Sequence, residues 1–330
     1  MGRPCVLVVH NKRTRFVRLD EEMLADRYRV VDCQLTKQQA LNPVFVRRLV
    51  LDADLVFGWF ASWHTLLPFL LAKKLGKPAL LVSGGYDVAN LPEIGYGHQR
   101  GGLKKWVSRW VMRLADCVVV NSEFSKREAL ENAKQNPAHV RVIYHGVPDT
   151  FSDWEGVSKE AMALTVGNLD ADNLWRKGLG PFARTAPLLP AVRFTLVGDW
   201  QDETHRRLQS NAPGNLTLTG WVDEEAWREY YLRSGVYVQA SQHEGFGMSL
   251  AEGMLAGCFP VVTRAGAIPE VVGDCGYYVN APKPEALAEG IRRGLTISTW
   301  ERRQIRERIL HHFTMEQRAR SFFDVMDSLL

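Results

Sequence analysis

A chain of 330 residues is too long for one ordinary domain and suits two of roughly 150 residues each. With 46% hydrophobic and 24% charged residues, its composition excludes a disordered chain and describes a soluble globular one able to bury two cores. The mild net charge of +4 suits an anionic ligand, an anionic membrane surface or no particular partner, but nucleic-acid binding would need a denser basic stripe or a recognised module, and the sequence has neither.

In chain order, the first strand-like run is 5–9, inside the segment MGRPCVLVVHNKRTRF. This segment passes straight into charge without the longer apolar core and small-residue cleavage site of a secretion leader. Further short apolar or β-branched runs at 28–32, 55–60, 79–83, 117–121 and 140–144 alternate with helical stretches. That alternation predicts a parallel sheet with helices on both faces. The longest apolar run, 63–72, carries His64 and precedes Lys73 and Lys74; it is shorter than the ~20 residues that cross a bilayer. A cytoplasmic protein is expected, with any membrane association peripheral, at the inner face. Between 103 and 114, Leu103, Trp106, Val107, Trp110, Val111 and Leu114 fall on one helical face, with Lys104, Lys105, Arg109 and Arg113 mostly opposite. Two readings stand: a helix packed on the sheet, or one docked on a membrane surface.

The pattern breaks at His145-Gly146-Val147-Pro148-Asp149 and the polar stretch 152–160, which reads as a connection between domains. The expected division is 1–148, joined by a C-terminal helix of about 315–330, and 149–314. Strand runs resume at 163–167, 193–197, 216–219, 236–239, 259–263 and 276–279, so two doubly wound α/β units follow in tandem. Ligands of such sheets bind beyond the carboxyl ends of the strands. Two units facing across a cleft, one ligand per wall, would suit a two-substrate reaction. At the end of the chain Phe322, Phe323, Val325, Met326, Leu329 and Leu330 predict an amphipathic helix. The five cysteines (Cys5, Cys33, Cys117, Cys258 and Cys275) are odd in number and have no paired spacing for zinc or redox work, so they read as small core residues.

The richest segment, 236–272, reads VYVQASQHEGFGMSLAEGMLAGCFPVVTRAGAIPEVV. A strand ends at Gln239, the glycine-containing loop Glu244-Gly245-Phe246-Gly247 follows, and a helix begins near Met248 and Ser249. Free amides at a helix start, beside glycines that permit close backbone approach, form a place to hold phosphate. Glu244 precedes this helix and Glu252 lies just over one turn into it, so both can reach one crevice without doing the same work. Phosphates repel a carboxylate, so the plausible partners of these two are ribose or sugar hydroxyls. Alone, a glutamate pair at this spacing is more often solvated surface; Gly245, Gly247, Gly257 and Pro260 around it reverse the odds.

The segment from Glu244 to Val262, with two glutamates eight positions apart and the following Ala267-Ile268-Pro269-Glu270-Val271-Val272, resembles family 4 glycosyltransferases of the GT-B superfamily. Other matching pieces are Val119-Val120-Asn121-Ser122-Glu123, Ile143-Tyr144-His145-Gly146-Val147, Thr165-Val166-Gly167, Arg176-Lys177-Gly178, Leu196-Val197-Gly198 and Leu218-Thr219-Gly220-Trp221-Val222. The resemblance implies a GT-B fold and a nucleotide-sugar donor. It puts Glu244 beside the donor sugar and Glu252 on the ribose hydroxyls. Amides of Gly245, Phe246, Gly247, Met248 and Ser249 would lie on the distal phosphate, with Val222 also on the donor side. Lys177 is assigned to the diphosphate. Where the family usually has an arginine directly after the valine-glycine pair, this chain has Asn168, and Arg176 either substitutes or faces solvent. Where many relatives carry a glycine pair after the first strand, it has His10-Asn11-Lys12-Arg13. Either the donor is approached differently, or Lys12 and Arg13 contribute charge from the acceptor side. Asp87 or Tyr86, in Ser83-Gly84-Gly85-Tyr86-Asp87-Val88, occupies the family's place for a polar residue near the reacting sugar.

The resemblance further implies transfer with retention and no obligatory metal or other cofactor, to a glycan or lipid-linked acceptor. Two rivals remain: a sugar-nucleotide epimerase, which needs no acceptor, and a non-catalytic nucleotide-sugar binding protein. His64 and His145 could be read as acid-base groups, but single histidines near apolar runs are more often structural; His145 reads as a hinge residue at the domain junction, and His243, directly before Glu244, as a support behind that glutamate.

Overall fold

The computed structural model describes residues 2–330, which divide into two compact units: residues 2–144 with Met315–Leu330, and His145–Thr314. The first comprises β1 (Cys5–His10), α1 (Arg15–Ala25), β2 (Arg29–Gln34), α2 (Lys37–Ala40), α3 (Pro43–Leu51), β3 (Leu55–Trp59), α4 (Trp63–Lys74), β4 (Ala79–Val82), α5 (Gly102–Leu114), β5 (Cys117–Val120), α6 (Glu123–Glu131) and β6 (Val140–Val142). The second comprises β7 (Glu160–Val166), α7 (Ala171–Arg176), α8 (Leu179–Thr185), β8 (Arg193–Val197), α9 (Thr204–Ser210), β9 (Leu216–Leu218), α10 (Glu224–Arg233), β10 (Ser234–Gln239), α11 (Met248–Leu255), β11 (Phe259–Thr263), α12 (Ile268–Val272), β12 (Tyr277–Val279), α13 (Pro284–Leu295) and α14 (Thr299–His312). The last helix, α15 (Met315–Leu329), returns to the first unit.

Each unit holds a six-stranded parallel sheet, ordered β2-β1-β3-β4-β5-β6 and β12-β11-β10-β7-β8-β9. The central strands are buried along their whole length, as β1, β3, β10 and β11 show. That is why they read as continuous apolar runs rather than alternating ones. Helices cover both faces of the first sheet. On one side Val46, Val50, Phe69, Ala72, Val111 and Met112, from α3, α4 and α5, pack over Leu7, Val56 and Leu81. On the other, Val17 and Leu24 of α1 join Phe322 and Met326 of α15 over Val6, Phe57 and Leu80.

All twelve strand-like runs are strands, shifted by a few residues at their ends. The helix at 102–114 is rotated from the expected packing: Ser108, Val111 and Met112 are its buried residues, while Leu103, Trp106 and Trp110 are exposed. A polar tie turns it. Ser108 Oγ donates to the Asp87 carbonyl (3.0 Å), beside Gln99, whose Nε2 donates to the same oxygen (2.8 Å). No described helix is long and apolar enough to cross a membrane.

Candidate functional site

In the second unit the chain leaves β7 toward β8 and β9 on one side and later builds β10, β11 and β12 on the other. The topological switch point therefore lies between the carboxyl ends of β7 and β10, where open parallel sheets form their ligand crevices. The loops bearing Lys177 and Glu244 leave from those two strand ends.

Beyond β7, Asp170 caps α7: its Oδ1 accepts from the Asn173 amide (2.7 Å) and its Oδ2 from Asn173 Nδ2 (2.7 Å). The helix stops at Lys177 because Gly178 turns left-handed, at φ +71°, pressed so close to the chain past β10 that a Cβ there would lie 2.1 Å from the Ala240 carbonyl oxygen. The Gln242 amide donates to the Arg176 carbonyl (2.7 Å), locking the two loops together. The Lys177 side chain then runs back over Gly167, where a Cβ would meet its Cδ at 2.8 Å and its Nζ at 3.3 Å. Burial pushes the Lys177 ammonium below the usual lysine range; Glu244 is the largest opposing charge, Arg176 adds to the lowering, and Asp170 and Glu252 act against it more weakly. An anion placed here would restore the favour for the protonated amine.

Glu244 is half-buried and oriented by Gln239, whose Nε2 donates to its Oε2 (3.1 Å), while its carbonyl accepts from the Ala267 amide (2.8 Å). Glu252 is buried, with Oε2 3.4 Å from the Tyr231 hydroxyl, which donates to the Ser249 carbonyl at 3.0 Å. The helix α11 begins at Met248, and the amides of its first turn have no acceptor within the helix. Gly245, Met248 and Ser249 are partly exposed. Phe246 is buried, its ring edge-on to His145 and Phe313, both at 5.3 Å, so its side chain packs and only its backbone belongs with the loop. Arg176 does not simply face solvent: its Nη2 donates to Asn173 Oδ1 (2.6 Å) and its Nη1 to the His243 carbonyl (3.4 Å). Asn168 is exposed, and its carbonyl accepts from Asn173 Nδ2 (3.0 Å). Val222, half-exposed, follows the exposed Trp221 just past β9.

In the first unit Asp87 is buried and its two oxygens serve the chain itself, Oδ2 accepting from the Ala61 amide (2.9 Å) and Oδ1 from Ser83 Oγ (2.7 Å). It clamps the loop after β4 to the one after β3. His64 is fully buried, with Nε2 2.8 Å from the Trp59 carbonyl, and burial lowers its pKa to about 4, which makes it a neutral structural residue. Arg13 binds Glu21 (2.8 Å), and His10 Nε2 lies 2.6 Å from Asp32 and 3.4 Å from Glu21. Burial raises the Glu21 carboxyl above the usual range. Two Asp-Ala-Asp triplets occur. Asp54 receives the Cys5 amide at the start of β1 (2.8 Å), and Asp170 is the α7 cap, so each already has a structural partner.

Sequence reasoning missed Gln239, Tyr231 and Asp170. Asp170, three residues ahead of Asn173 before a helix, was legible as a cap. Tyr231 comes from α10 and had no local signal.

The tandem sheets define the architecture: an α/β protein of the GT-B kind. Anabaena HepE, solved in complex with UDP and glucose, superposes with a TM-score of 0.78 over 98% of this chain and 100% of that one, at 17% identity. The family profile described as "Glycosyltransferase Family 4" matches residues 4–151, and that described as "Glycosyl transferases group 1" matches 160–296. The chain belongs to this glycosyltransferase family. It is similar to the O-antigen chain mannosyltransferase B of Escherichia coli (26% identity over 44% of this chain and 39% of the relative) and to the phosphatidylinositol N-acetylglucosaminyltransferase gpi3 subunit of Schizosaccharomyces pombe (24% over 57% and 42%). These matches span about two fifths of the length of each relative.

Proposed function

We propose that the chain transfers a hexosyl unit from a UDP- or GDP-linked sugar to a glycan or lipid-linked acceptor, with retention and without a resident metal. The observation that carries this reading is the convergence of Lys177, Glu244, Glu252 and the α11 amides around the β7–β10 switch point. The HepE complex with UDP and glucose and the two relatives named as glycosyltransferases support the donor class. In this reading the second unit is the donor domain and the first the acceptor-side domain.

Glu252 holds the ribose hydroxyls, and the amides from Gly245 to Ser249 hold the distal phosphate. Val222 and the Asn168 loop border the nucleotide. The bond between the anomeric carbon and the phosphate oxygen breaks as the acceptor hydroxyl attacks from the same face, and the hydroxyl proton passes to the departing phosphate oxygen. Lys177 and Arg176, with the amides, meet the charge that builds on the nucleoside diphosphate, which is where preorganised donors lower a barrier most. Glu244, held by Gln239, positions the sugar and faces the positive charge developing at its anomeric carbon. Asp87 shapes the first unit's loops rather than touching the reacting atoms, because both its oxygens are engaged.

The test is thermal stabilisation by UDP-, GDP- and ADP-sugars of wild type and Glu252→Ala, since a ligand that binds the folded state raises its stability. One nucleotide class should stabilise wild type and lose its effect in the variant. No response to any donor sinks the reading. Turnover only with an added acceptor, with the product's anomeric configuration read by NMR, then separates transfer from epimerisation and from binding alone.

A further inference from the structure

The helices α2, α3, α4 and α5 lie side by side over one face of the first sheet, their inner residues in one core cluster. Among the 37 acidic residues of the chain, none falls in these helices, although a run of their combined length should hold about four at the chain's average. They carry Lys or Arg at nine positions. Among the described residues none of these cations forms an ion pair with a carboxylate. The other helices of the same unit do not share this pattern: α1, α6 and α15 each mix both signs. On the outer side of the same layer large apolar side chains stand in water. Leu103 is 78% exposed, Trp106 59% and Trp110 56%, along one stripe of α5 opposite its buried Ser108 and Met112, and Leu70 of α4 and Val44 of α3 are also exposed.

We propose that this helix layer docks on an anionic lipid bilayer. Each property alone has an ordinary explanation, and their coincidence on one layer selects the partner. Indole rings and a leucine on a crest match the boundary between headgroups and acyl chains, and Lys73, Lys74, Lys104 and Arg113 can extend to lipid phosphates while their stems stay against apolar surface. A second copy pressed on the same face would set cations against cations, although Arg109 is tied to the Gln99 side chain and the Asn132 carbonyl, and this disfavours a symmetric dimer. The four helices themselves carry no carboxylate to repel a negative surface, the exposed Asp52 lying just beyond α3 as its cap. The inference is independent of the donor site, which lies in the other unit.

The full chain should co-sediment with vesicles of mixed phosphatidylglycerol and phosphatidylcholine, be released by high salt, and stay in solution with pure phosphatidylcholine. Paired Lys104→Glu and Arg113→Glu substitutions should lower partitioning by well over tenfold, each cation near an anionic surface being worth roughly fivefold. Paired Trp106→Ala and Trp110→Ala should weaken binding even at low salt, while Arg207→Glu on α9, in the other unit, should leave it unchanged. All of these sites are exposed, so the variants should keep the wild-type melting temperature and its response to the sugar donor. Equal binding to neutral and anionic vesicles, or retention in the α5 variants, overturns the proposal. So does self-association, or binding to RNA or DNA, that the tryptophan pair abolishes while vesicles bind neither form.

Discussion

Lys177 reaches the switch point only because residue 167 has no side chain. Replacing Gly167 with alanine would put a Cβ 2.8 Å from the lysine Cδ, and the flexible stem must yield, moving the amine. Gly167→Ala should therefore cost little stability and weaken nucleotide-sugar binding about tenfold or more, a displaced charge contact being worth ~1.5–3 kcal/mol; titration calorimetry with the stabilising donor reads it, and unchanged affinity would count against Lys177 as a phosphate ligand. His64 makes a second residue-scale prediction. Its pKa falls to about 4 in the folded chain, so between the ordinary histidine value and that point the unfolded state binds more protons. Stability is intact above about pH 6.5 and is lost as pH falls toward 4, by about 3 kcal/mol. Urea midpoints across that window should decline in wild type and decline less in His64→Gln.

At the scale of elements, α7 is six residues long and buries no side chain of its own, so its position depends on its ends. Asp170 fixes the first and Gly178 the last. Asp170→Ala should cost ~1 kcal/mol as a lost helix cap and loosen Arg176 and Lys177 together, seen as faster amide exchange across 171–177 with the sheet unaffected. Faster exchange throughout the unit would mean that the cap supports the core instead. The helix α5 teaches a related lesson. Its apolar positions at helical spacing are real, but the sheet-facing side was chosen by hydrogen bonds from Ser108 and Gln99 to the Asp87 carbonyl, leaving the two tryptophans in water.

At the scale of the molecule, the first unit is completed by the far end of the chain. Arg318 of α15 forms a two-pronged bond with Asp20 of α1, at 2.7 and 2.8 Å, both side chains buried, and its Nη1 donates to the Tyr144 carbonyl at 2.8 Å. Breaking such a pair by removing one member leaves an uncompensated buried charge, at a cost of ~3–5 kcal/mol. Asp20→Ala should lower the melting transition of the first unit and leave donor binding by the second unchanged; a shift below ~1 kcal/mol would show the pair to be dispensable.

The sequence by itself determined the twelve strands, the tandem α/β units and the glutamates of the loop and helix after β10. Buried parallel strands must be apolar and short, and a turn that brings backbone near a ligand must be glycine, so both leave marks on neighbouring residues. The tertiary structure alone decided what those marks could not encode. It ran Lys177 over Gly167, stood Tyr231 beside Glu252, spent the Asp87 oxygens on loop amide and hydroxyl groups, and exposed Trp106 and Trp110 on an acid-free layer. Most of these contacts join residues from different elements, such as Ala61 with Asp87 and Tyr231 with Glu252, and such side-chain partners follow from packing rather than from local pattern.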